Sequence, residues 1–308
     1  MSRTDPRELL TWVKGERVGQ VDADVMLYAC CHAAQRVEWS HPDTTIFSPF
    51  ENKTAFNKWC KENGKDASLA TSVVIAEPFH NAKRSFKMMA EKIKKESSAD
   101  RIILYLSGSR NYRFDVYPEY KANRAAAPKP YHYARLKEYI LTLPNTVLVH
   151  GMEADDAMGI AQYSNHAMTG SRQWSVVCTI DKDLNMIAGQ HYNWNKSDGG
   201  LYYQADEDCN RFFYRQLIMG DATDNIKGIP KMGAVAASKA IPDEMTNVDE
   251  MYTVVRNMYF NYHNKMEKNL LVSREDVLKD SDADLNLNAQ LLWILRHPKT
   301  RWEPSVKP

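Results

Sequence analysis

Nine acidic residues of this 308-residue chain fall into four short clusters, each beside a stretch that the sequence predicts to be a strand or a helix. The clusters are Asp22 with Asp24, Glu153 with Asp155 and Asp156, Asp181 with Asp183, and Asp221 with Asp224. Carboxylates that a fold brings together repel one another unless cations neutralise them. Oxygen-only ligand sets suit hard divalent cations. The sequence therefore predicts a site for Mg²⁺, with Mn²⁺ as a substitute.

The four clusters contain enough carboxylates for two ions. A pair of metal ions about 3.5–4 Å apart can hold the attacking and the leaving oxygen of an in-line phosphoryl displacement. Each cluster on its own has another interpretation, because Asp and Glu also stabilise the first turn of helices. Their occurrence together, beside predicted strands, favours the two-metal site.

Residues 110–124 interleave basic and aromatic side chains. The candidate nucleic-acid contacts in this segment are Arg110, Arg113, Tyr120, Lys121 and Arg124. Lys121 and Arg124 are three residues apart and share a face if the segment is helical. They could then neutralise a scissile phosphate while the aromatic rings stack on an unpaired base. A solvated loop is the alternative, but it leaves the aromatic residues unexplained.

A tight turn, Gly228-Ile229-Pro230-Lys231-Met232-Gly233, separates two predicted helices. Glycine permits a positive φ and close backbone approach, so that successive N–H groups can face a phosphate at the start of the next helix. Such a contact holds a DNA backbone without reading its sequence. An ordinary turn between helices is the alternative.

The composition indicates a cytoplasmic protein with a large core. Hydrophobic residues make up 44% of the chain, but no stretch reaches the apolar length of a membrane span, so no membrane partner is expected. The N-terminus lacks the apolar core of a signal peptide, and the five cysteines are expected to be reduced. The net charge is only +1, yet residues 81–130 contain twelve Lys or Arg against five Asp or Glu. A basic segment of this kind suits a phosphate-containing partner.

Strands alternate with helices in the first two thirds of the chain, which predicts a mostly parallel α/β sheet. The predicted strands are Val18–Asp22, Ile102–Leu106, Thr146–Val149 and Trp174–Ile180, followed by a hairpin of His191–Asn195 and Leu201–Gln204. A helix is expected at Val25–Val37. Ligands bind at the carboxyl ends of parallel strands, so the acidic clusters should meet at one edge of the sheet. From about residue 206 the pattern is helical, which predicts domains at 1–205 and 206–308.

Six motifs in this order resemble the flap endonuclease/5′→3′ exonuclease family, and most of all its bacteriophage members. The motifs are Val21-Asp22, Pro118–Arg124, Glu153–Asp156, Thr179–Asp183, Met219–Asn225 and Gly228–Gly233. The resemblance covers roughly residues 18–242. It implies a PIN-like nuclease domain followed by a helix–three-turn–helix DNA-binding domain.

The same resemblance implies an activity and its partners. The expected activity is two-metal hydrolysis of phosphodiesters near the 5′ ends of duplex, flapped or forked DNA, in phage replication, recombination or DNA degradation. RNA–DNA hybrids and replication proteins are further expected partners, and the host cytoplasm is the expected location.

Roles for individual residues are also implied by the resemblance. Asp22, Glu153 and Asp155 would serve the first metal, and Asp156, Asp181, Asp183, Asp221 and Asp224 the second. Lys121 and Arg124 would contact the scissile phosphate from an arch over the site. Gly228, Ile229 and Gly233 would lie in a duplex-binding turn that also holds K⁺, and Lys231 would add a phosphate contact there.

The sequence departs from the family at one position. Many members have an Asp just after the second strand, where this chain has Leu106-Ser107-Gly108-Ser109. Asp24 or a water molecule could take the place of the missing ligand. The departure leaves two alternatives open: a structure-specific DNA-binding protein with an impaired metal site, and a ribonuclease on the same type of sheet.

Overall fold

The computed structural model describes residues 15–44, 50–124, 128–196, 199–266 and 273–304. Within these ranges the strands are β1 (Val18–Asp22), β2 (Gln35–Ser40), β3 (Thr71–Ala76), β4 (Arg101–Asn111), β5 (Thr146–Gly151), β6 (Ser175–Cys178), β7 (Gly189–Tyr192) and β8 (Leu201–Gln204). The α-helices are α1 (Ala23–Ala33), α2 (Lys53–Glu62), α3 (Phe79–Glu96), α4 (Arg113–Val116), α5 (Tyr133–Leu141), α6 (Ala154–Thr169), α7 (Asp206–Met219), α8 (Ala234–Ala240), α9 (Val248–Met266) and α10 (Arg274–Leu292). The extreme N-terminus, for which the sequence predicts no signal peptide, lies outside the described residues.

Six strands form one sheet in the order β5-β4-β1-β6-β7-β8. The neighbours are parallel except for β7 and β8, which form the predicted antiparallel hairpin. Every residue of the central strand β1 is buried, as expected for a parallel strand covered on both faces. The predicted α/β class with a mostly parallel sheet and a helical C-terminal region is confirmed.

The register of the sheet places several acids at one edge. Val21 of β1 pairs with Leu104 of β4 and with Cys178 of β6, so Asp22 and the residues after Cys178 leave the sheet on the same side. β5 runs parallel to β4 and ends at Gly151, two residues before Glu153. The expected convergence of strand ends is therefore present in the backbone.

Two element predictions were wrong. The helix expected at Val25–Val37 ends at Ala33, and Gln35–Ser40 instead forms β2, which pairs antiparallel with β3. The two-residue alternation of Arg36-Val37-Glu38-Trp39 favours a strand and outweighs the helical spacing before it. The strand expected at Ile102–Leu106 continues to Asn111, with an irregularity after Ser107.

The chain divides into two compact units. The first contains residues 1–23, 93–127 and 145–308, and the second contains residues 24–92 and 128–144. The six-stranded sheet and all helices after residue 205 belong to the first unit, while β2, β3, α2 and α5 belong to the second. The boundary predicted near residue 205 does not coincide with this division and stays a prediction.

In the first unit, α6 packs on β1, β4 and β6, and α9 and α10 pack on α7. Phe213, Leu217, Trp293 and Trp302 are buried in its core. No helix in the described parts of the chain is long and apolar enough to cross a membrane. All five cysteines are buried and free of disulfides.

Candidate active site

The carboxyl ends of β1 and β6 are joined by a threonine. Thr179 donates from Oγ1 to Oδ2 of Asp22 at 2.9 Å, and its Oγ1 accepts the backbone N–H of Asp181 at 3.0 Å. Asp181 in turn accepts the N–H of Asp183 at 2.9 Å and caps the 3₁₀ helix Lys182–Met186. One buried hydroxyl therefore orders two acids that lie far apart in the sequence.

Asp155 faces this pair from the first turn of α6. Burial raises the pKa of Asp155 well above its ordinary value, and the negative charges of Asp22, Asp181 and Glu153 raise it further. Lys121 lowers it by less. Three like charges thus converge on one half-buried carboxyl, which is the environment that a bound cation would relieve.

Asp183 and Asp221 form a second acidic pair. Gln216 of α7 donates to Oδ1 of Asp183 at 2.9 Å and to Oδ2 of Asp221 at 3.3 Å. Lys182 lies 3.1 Å from the same Asp221 oxygen and 3.7 Å from Oδ1 of Asp183. Burial and Asp181 together raise the pKa of Asp183 to about 6. Burial would also raise the pKa of Asp221, but the hydrogen bond from Lys182 holds it below its ordinary value.

Residues 119–124 lie directly on the loop that carries Asp221 and Asp224. Lys121 donates its backbone N–H to the carbonyl of Asp224 at 3.0 Å, and Asn123 donates to the carbonyl of Ala222 at 2.7 Å. Asn225 returns a hydrogen bond to the carbonyl of Glu119 at 2.8 Å. The backbone of Lys121 has a φ of +57°, a left-handed conformation that is uncommon outside glycine.

The side chains of this segment neutralise acids. Lys121 Nζ lies 2.6 Å from Oε1 of Glu153 and 3.5 Å from Oδ2 of Asp224. Tyr120 donates to Glu153 and to Asp224, each at 3.0 Å, and Arg124 pairs with Oδ1 of Asp224. Burial alone would raise the pKa of Glu153, but the positive charges of Arg113 and Lys121 hold it below its ordinary value.

Asp156 and Arg113 form a buried pair beside the candidate site. Asp156 is fully buried and accepts from Arg113 at 2.6 and 2.9 Å. It also accepts the backbone N–H groups of Glu153 and Leu295, each at 3.0 Å. Both Asp156 oxygens are therefore used within the protein, and the expectation that Asp156 binds a metal stays a prediction. Arg113 is 2% exposed, so it has no surface to offer DNA, and the prediction of a DNA contact there is wrong.

The turn at residues 228–233 supports only part of the expected DNA contact. Ile229 is buried and gives its N–H to the carbonyl of Ile218 at 2.9 Å, so neither its side chain nor its amide can reach a phosphate. Gly228 has a φ of +58°, and a Cβ there would lie 2.2 Å from the amide nitrogen of Gly220, which explains glycine by packing. Lys231 and Gly233 are exposed. Ile229 therefore shapes the turn from inside, while Lys231 and Gly233 remain available, and the DNA contact of the turn stays a prediction.

Three residues near the end of β4 complete the description of the site. Arg110 is exposed and pairs with Asp115, which leaves it at the surface. At the place of the family's missing acid, Ser107 accepts the backbone N–H of Ala154 at 2.9 Å and so helps to start α6. Asn111, at the end of β4, donates to Oε1 of Glu153 at 2.9 Å.

Across the described residues, no group of three or more His, Cys, Asp or Glu side chains is arranged to hold a metal ion. The amino groups of Lys121 and Lys182 lie between the carboxylates. The donors nevertheless fit a hard divalent cation by their chemistry, because Asp155, Asp22 and Asp181 combine oxygen ligands with mutual repulsion. Sequence reasoning missed Thr179, Lys182 and Gln216, for which the only signal was proximity to the acidic clusters.

Comparisons with known proteins agree with the motifs. Residues 69–215 match the model of the 5′-3′ exonuclease, N-terminal resolvase-like domain. The exodeoxyribonuclease of Enterobacteria phage T3 is 33% identical over 138 residues, which are 44% of this chain and 45% of that protein. The exonuclease of Escherichia phage T7 is 32% identical over 138 residues, with the same coverage. The chain thus spans less than half the length of these relatives.

Solved structures give a weaker likeness. The T5 D15 protein crystallised with metal ions aligns with a TM-score of 0.48 and 17% identity, over 90% of this chain and 98% of that one. A complex of the T5 D15 flap endonuclease with DNA and metal ions aligns with a TM-score of 0.47 and 15% identity, over 87% and 99%. The match of the family model, by contrast, is carried by sequence: residues 69–215 are similar to the 5′-3′ exonuclease, N-terminal resolvase-like domain, which confirms the resemblance of the motifs.

Proposed function

We propose that the chain is a metal-dependent 5′→3′ nuclease that hydrolyses phosphodiesters near the 5′ ends of duplex or flapped DNA. The observation that carries this proposal is the convergence of Asp22, Asp155 and Asp181, where burial and then mutual repulsion raise the pKa of Asp155. The names of the phage relatives, an exodeoxyribonuclease and an exonuclease, support the same reaction.

Two groups of carboxylates are the candidate metal ligands. Asp22, Glu153 and Asp155 would hold one Mg²⁺ or Mn²⁺ ion, and Asp181, Asp183 and Asp221 a second, with Asp224 beside them. The ions, when bound, would supply a hydroxide near neutral pH and stabilise the departing oxygen. Thr179 keeps Asp22 and Asp181 in place, and Gln216 does the same for Asp183 and Asp221.

Lys121 and Arg124 would act on the substrate. Both are now paired with acids, Lys121 with Glu153 and Arg124 with Asp224. Each can contact a scissile phosphate only after it has released its carboxylate. Release of these ion pairs would leave Glu153 and Asp224 available to a metal ion. The same movement would bring Lys121 and Arg124 to the phosphate.

Duplex DNA would lie against exposed backbone and side chains on the same unit. Lys231 and Gly233 are exposed beside α8, and Arg110 is exposed at the end of β4. The proposal has four further parts: a K⁺ ion at the turn Gly228–Gly233, an RNA–DNA hybrid as substrate, replication proteins as partners and a cytoplasmic location. The division into a nuclease domain at 1–205 and a DNA-binding domain at 206–308 is another.

The test is cleavage of 5′-end-labelled duplex and 5′-flap DNA with Mg²⁺ and with chelator, with product lengths resolved on a denaturing gel. Metal-dependent mononucleotides or short 5′ fragments are expected, and Asp181→Asn should remove them while DNA binding persists. Full activity in Asp181→Asn would contradict the proposal.

A second candidate function is a structure-specific DNA-binding protein with an impaired metal site. Its support is that Lys121 and Lys182 already neutralise acids and that Ser107 takes the place of an acid. It predicts salt-sensitive binding to forked DNA without hydrolysis in Mg²⁺ or Mn²⁺. The same cleavage assay, combined with a binding assay, separates the two functions.

A further inference from the structure

A buried ion pair lies directly beneath the candidate active site. Arg113 of α4 and Asp156 of α6 are 2% and 0% exposed, and the guanidinium donates to both carboxylate oxygens, at 2.6 and 2.9 Å. Two charges are removed from water here, which a protein tolerates only when the remaining donors and acceptors are also satisfied. The groups that satisfy the remaining donors and acceptors of Arg113 and Asp156 come from a distant part of the chain.

That partner is the segment Leu291–Leu295, at and just beyond the end of α10. Arg113 donates from Nε to the carbonyl of Leu291 at 2.8 Å and from Nη2 to the carbonyl of Trp293 at 2.6 Å. The backbone N–H of Leu295 donates to Oδ1 of Asp156 at 3.0 Å. All five residues of the segment are buried. We call Leu291–Leu295 the C-terminal strap.

The strap also lies against the backbone of α6. A Cβ on Gly159 would be 2.5 Å from the carbonyl oxygen of Leu295, so only glycine permits the strap to come this close. Gly159 is one turn beyond Asp155 and Asp156 along the helix. The strap therefore holds the first two turns of α6, which present the acids of the candidate site.

The pair reaches Glu153 by two further routes. Oδ2 of Asp156 accepts the backbone N–H of Glu153 at 3.0 Å. The N–H of Arg113 donates to Asn111 at 2.9 Å, and the Asn111 amide donates to Oε1 of Glu153 at 2.9 Å. Backbone and carboxylate of Glu153 are thus both oriented from the Arg113–Asp156 pair. Asp155 is covalently adjacent to Asp156 and takes its direction from the same turn.

We propose that Arg113 and Asp156, together with the C-terminal strap, form a positioning device for Glu153 and Asp155, so that the last part of the chain belongs to the catalytic unit. The inference rests on the proposed function. Arg113 and Asp156 are positioning residues in this account, since all the contacts described for them are with the protein itself. A buried ion pair contributes little to stability compared with apolar side chains of similar size, so its use here lies in orientation.

The test replaces the pair without leaving a lone buried charge. Arg113→Met combined with Asp156→Leu substitutes apolar side chains of similar length. Expected results are an unchanged melting temperature within a few degrees, an unchanged KM for duplex DNA, a kcat at least 100-fold lower, and a Mn²⁺ affinity at least tenfold lower by titration calorimetry without DNA. A folded variant with kcat and Mn²⁺ affinity within threefold of the unaltered protein overturns the inference.

A control pair exists in the same unit. Arg256 of α9 and Asp282 of α10 form a two-point pair at 2.7 and 2.6 Å, which is partly exposed, and the hydrogen bonds described for this pair do not reach the acidic clusters. Arg256→Met with Asp282→Leu should leave kcat and Mn²⁺ affinity within twofold of the unaltered protein. An equal loss in this control would assign the effect to general destabilisation and overturn the positioning role.

A second variant decides the matter if the double substitution does not fold. Arg113→Lys keeps the charge but cannot donate to two carboxylate oxygens and two carbonyls at once. A kcat about tenfold lower with unchanged KM supports the inference, and an unchanged kcat overturns it. An unaltered protein that binds Mn²⁺ but cleaves no DNA contradicts the proposed function alone, and the Mn²⁺ affinities then decide the positioning role. A protein that binds no Mn²⁺ overturns both.

Discussion

The acids of the candidate site are neutralised differently in its two halves. Around Asp155, burial is reinforced by the negative charges of Asp22, Asp181 and Glu153. Around Asp221, Lys182 supplies a positive charge and holds the pKa of the carboxyl down. A carboxylate that faces other carboxylates gains most from a cation in solution, whereas one that faces a lysine has a cation already. The difference indicates that the Asp155 half has the most to gain from a divalent ion, and the following predictions test it.

Asp155→Asn should produce the largest effect. The substitution removes a charged ligand from the half in which like charges outweigh the effect of Lys121, so the cleavage rate should fall by about 10³-fold, equivalent to roughly 4 kcal/mol of transition-state stabilisation. Single-turnover cleavage of 5′-labelled duplex DNA measures the loss. Asp243→Asn, at an exposed carboxylate bonded to Arg215, is the control and should cleave normally. A cleavage rate for Asp155→Asn within tenfold of that of the unaltered protein would contradict the inference that the Asp155 half depends most on a divalent ion.

Asp155→Asn should also make the metal-free protein more stable, although it lowers the cleavage rate. Because burial and the neighbouring carboxylates raise the pKa of Asp155, the ionised carboxyl destabilises the metal-free fold, and Asp155→Asn should raise the melting temperature in chelator. Ca²⁺ should raise the melting temperature of the unaltered protein, since an ion that binds only the folded state stabilises it. Ca²⁺ should have little effect on Asp155→Asn. Equal shifts in both proteins, measured by calorimetry, would place the ion elsewhere.

Lys121→Ala should have an intermediate effect. A cation that contacts the transferring phosphate contributes about 10²-fold to the cleavage rate. Without DNA, Lys121 is paired with Glu153, so it should add little to the affinity for DNA in the ground state. The single-turnover rate should therefore fall much more than the affinity for duplex DNA. Arg110→Ala is the contrasting variant. Loss of this exposed side chain should weaken the binding of duplex DNA and lower the salt dependence of that binding, without slowing cleavage at saturating DNA. An unchanged rate in Lys121→Ala refutes its role.

Lys182→Met should have the smallest effect. The Lys182 side chain is 63% exposed, so its pairing with Asp221 contributes less than about 1 kcal/mol to the free energy of unfolding. Urea unfolding in chelator should show only this small loss, whereas the affinity for Mn²⁺ should rise because a competing cation is gone. A weaker affinity for Mn²⁺ would mean that Lys182 supports the metal site instead of competing with it.

Strand ends and short-range patterns could be predicted from the sequence. The apolar run before Asp22 and the alternation of strands and helices were sufficient to predict the parallel sheet and the edge at which Asp22, Asp155 and Asp181 meet. β2 was missed because the apolar residues before it have helical spacing. A two-residue alternation six residues long is a weak signal beside a longer periodic one.

The roles of Asp156 and Ile229 could not be predicted because their partners lie far away in the sequence. Asp156 is one residue from Asp155 and has the same chemistry, but it faces Arg113 and the N–H of Leu295, which is 139 residues further along the chain. The amide of Ile229 is used by Ile218, across the turn. A motif identifies residue types, whereas only the packed backbone decides which of them faces the site.

The dependence of Arg113 on the C-terminal strap also sets a time for maturation. Arg113 and Leu295 are separated by 182 residues of sequence. At about 5–20 residues per second of synthesis, the arginine waits roughly 10–40 s for the carbonyls of Leu291 and Trp293. During that interval the buried charges lack part of their hydrogen bonding, and the first turn of α6 lacks the strap. On a growing chain, the first turn of α6 therefore receives the hydrogen bonds of the C-terminal strap only after Leu295 has been synthesised, long after Arg113 and Asp156.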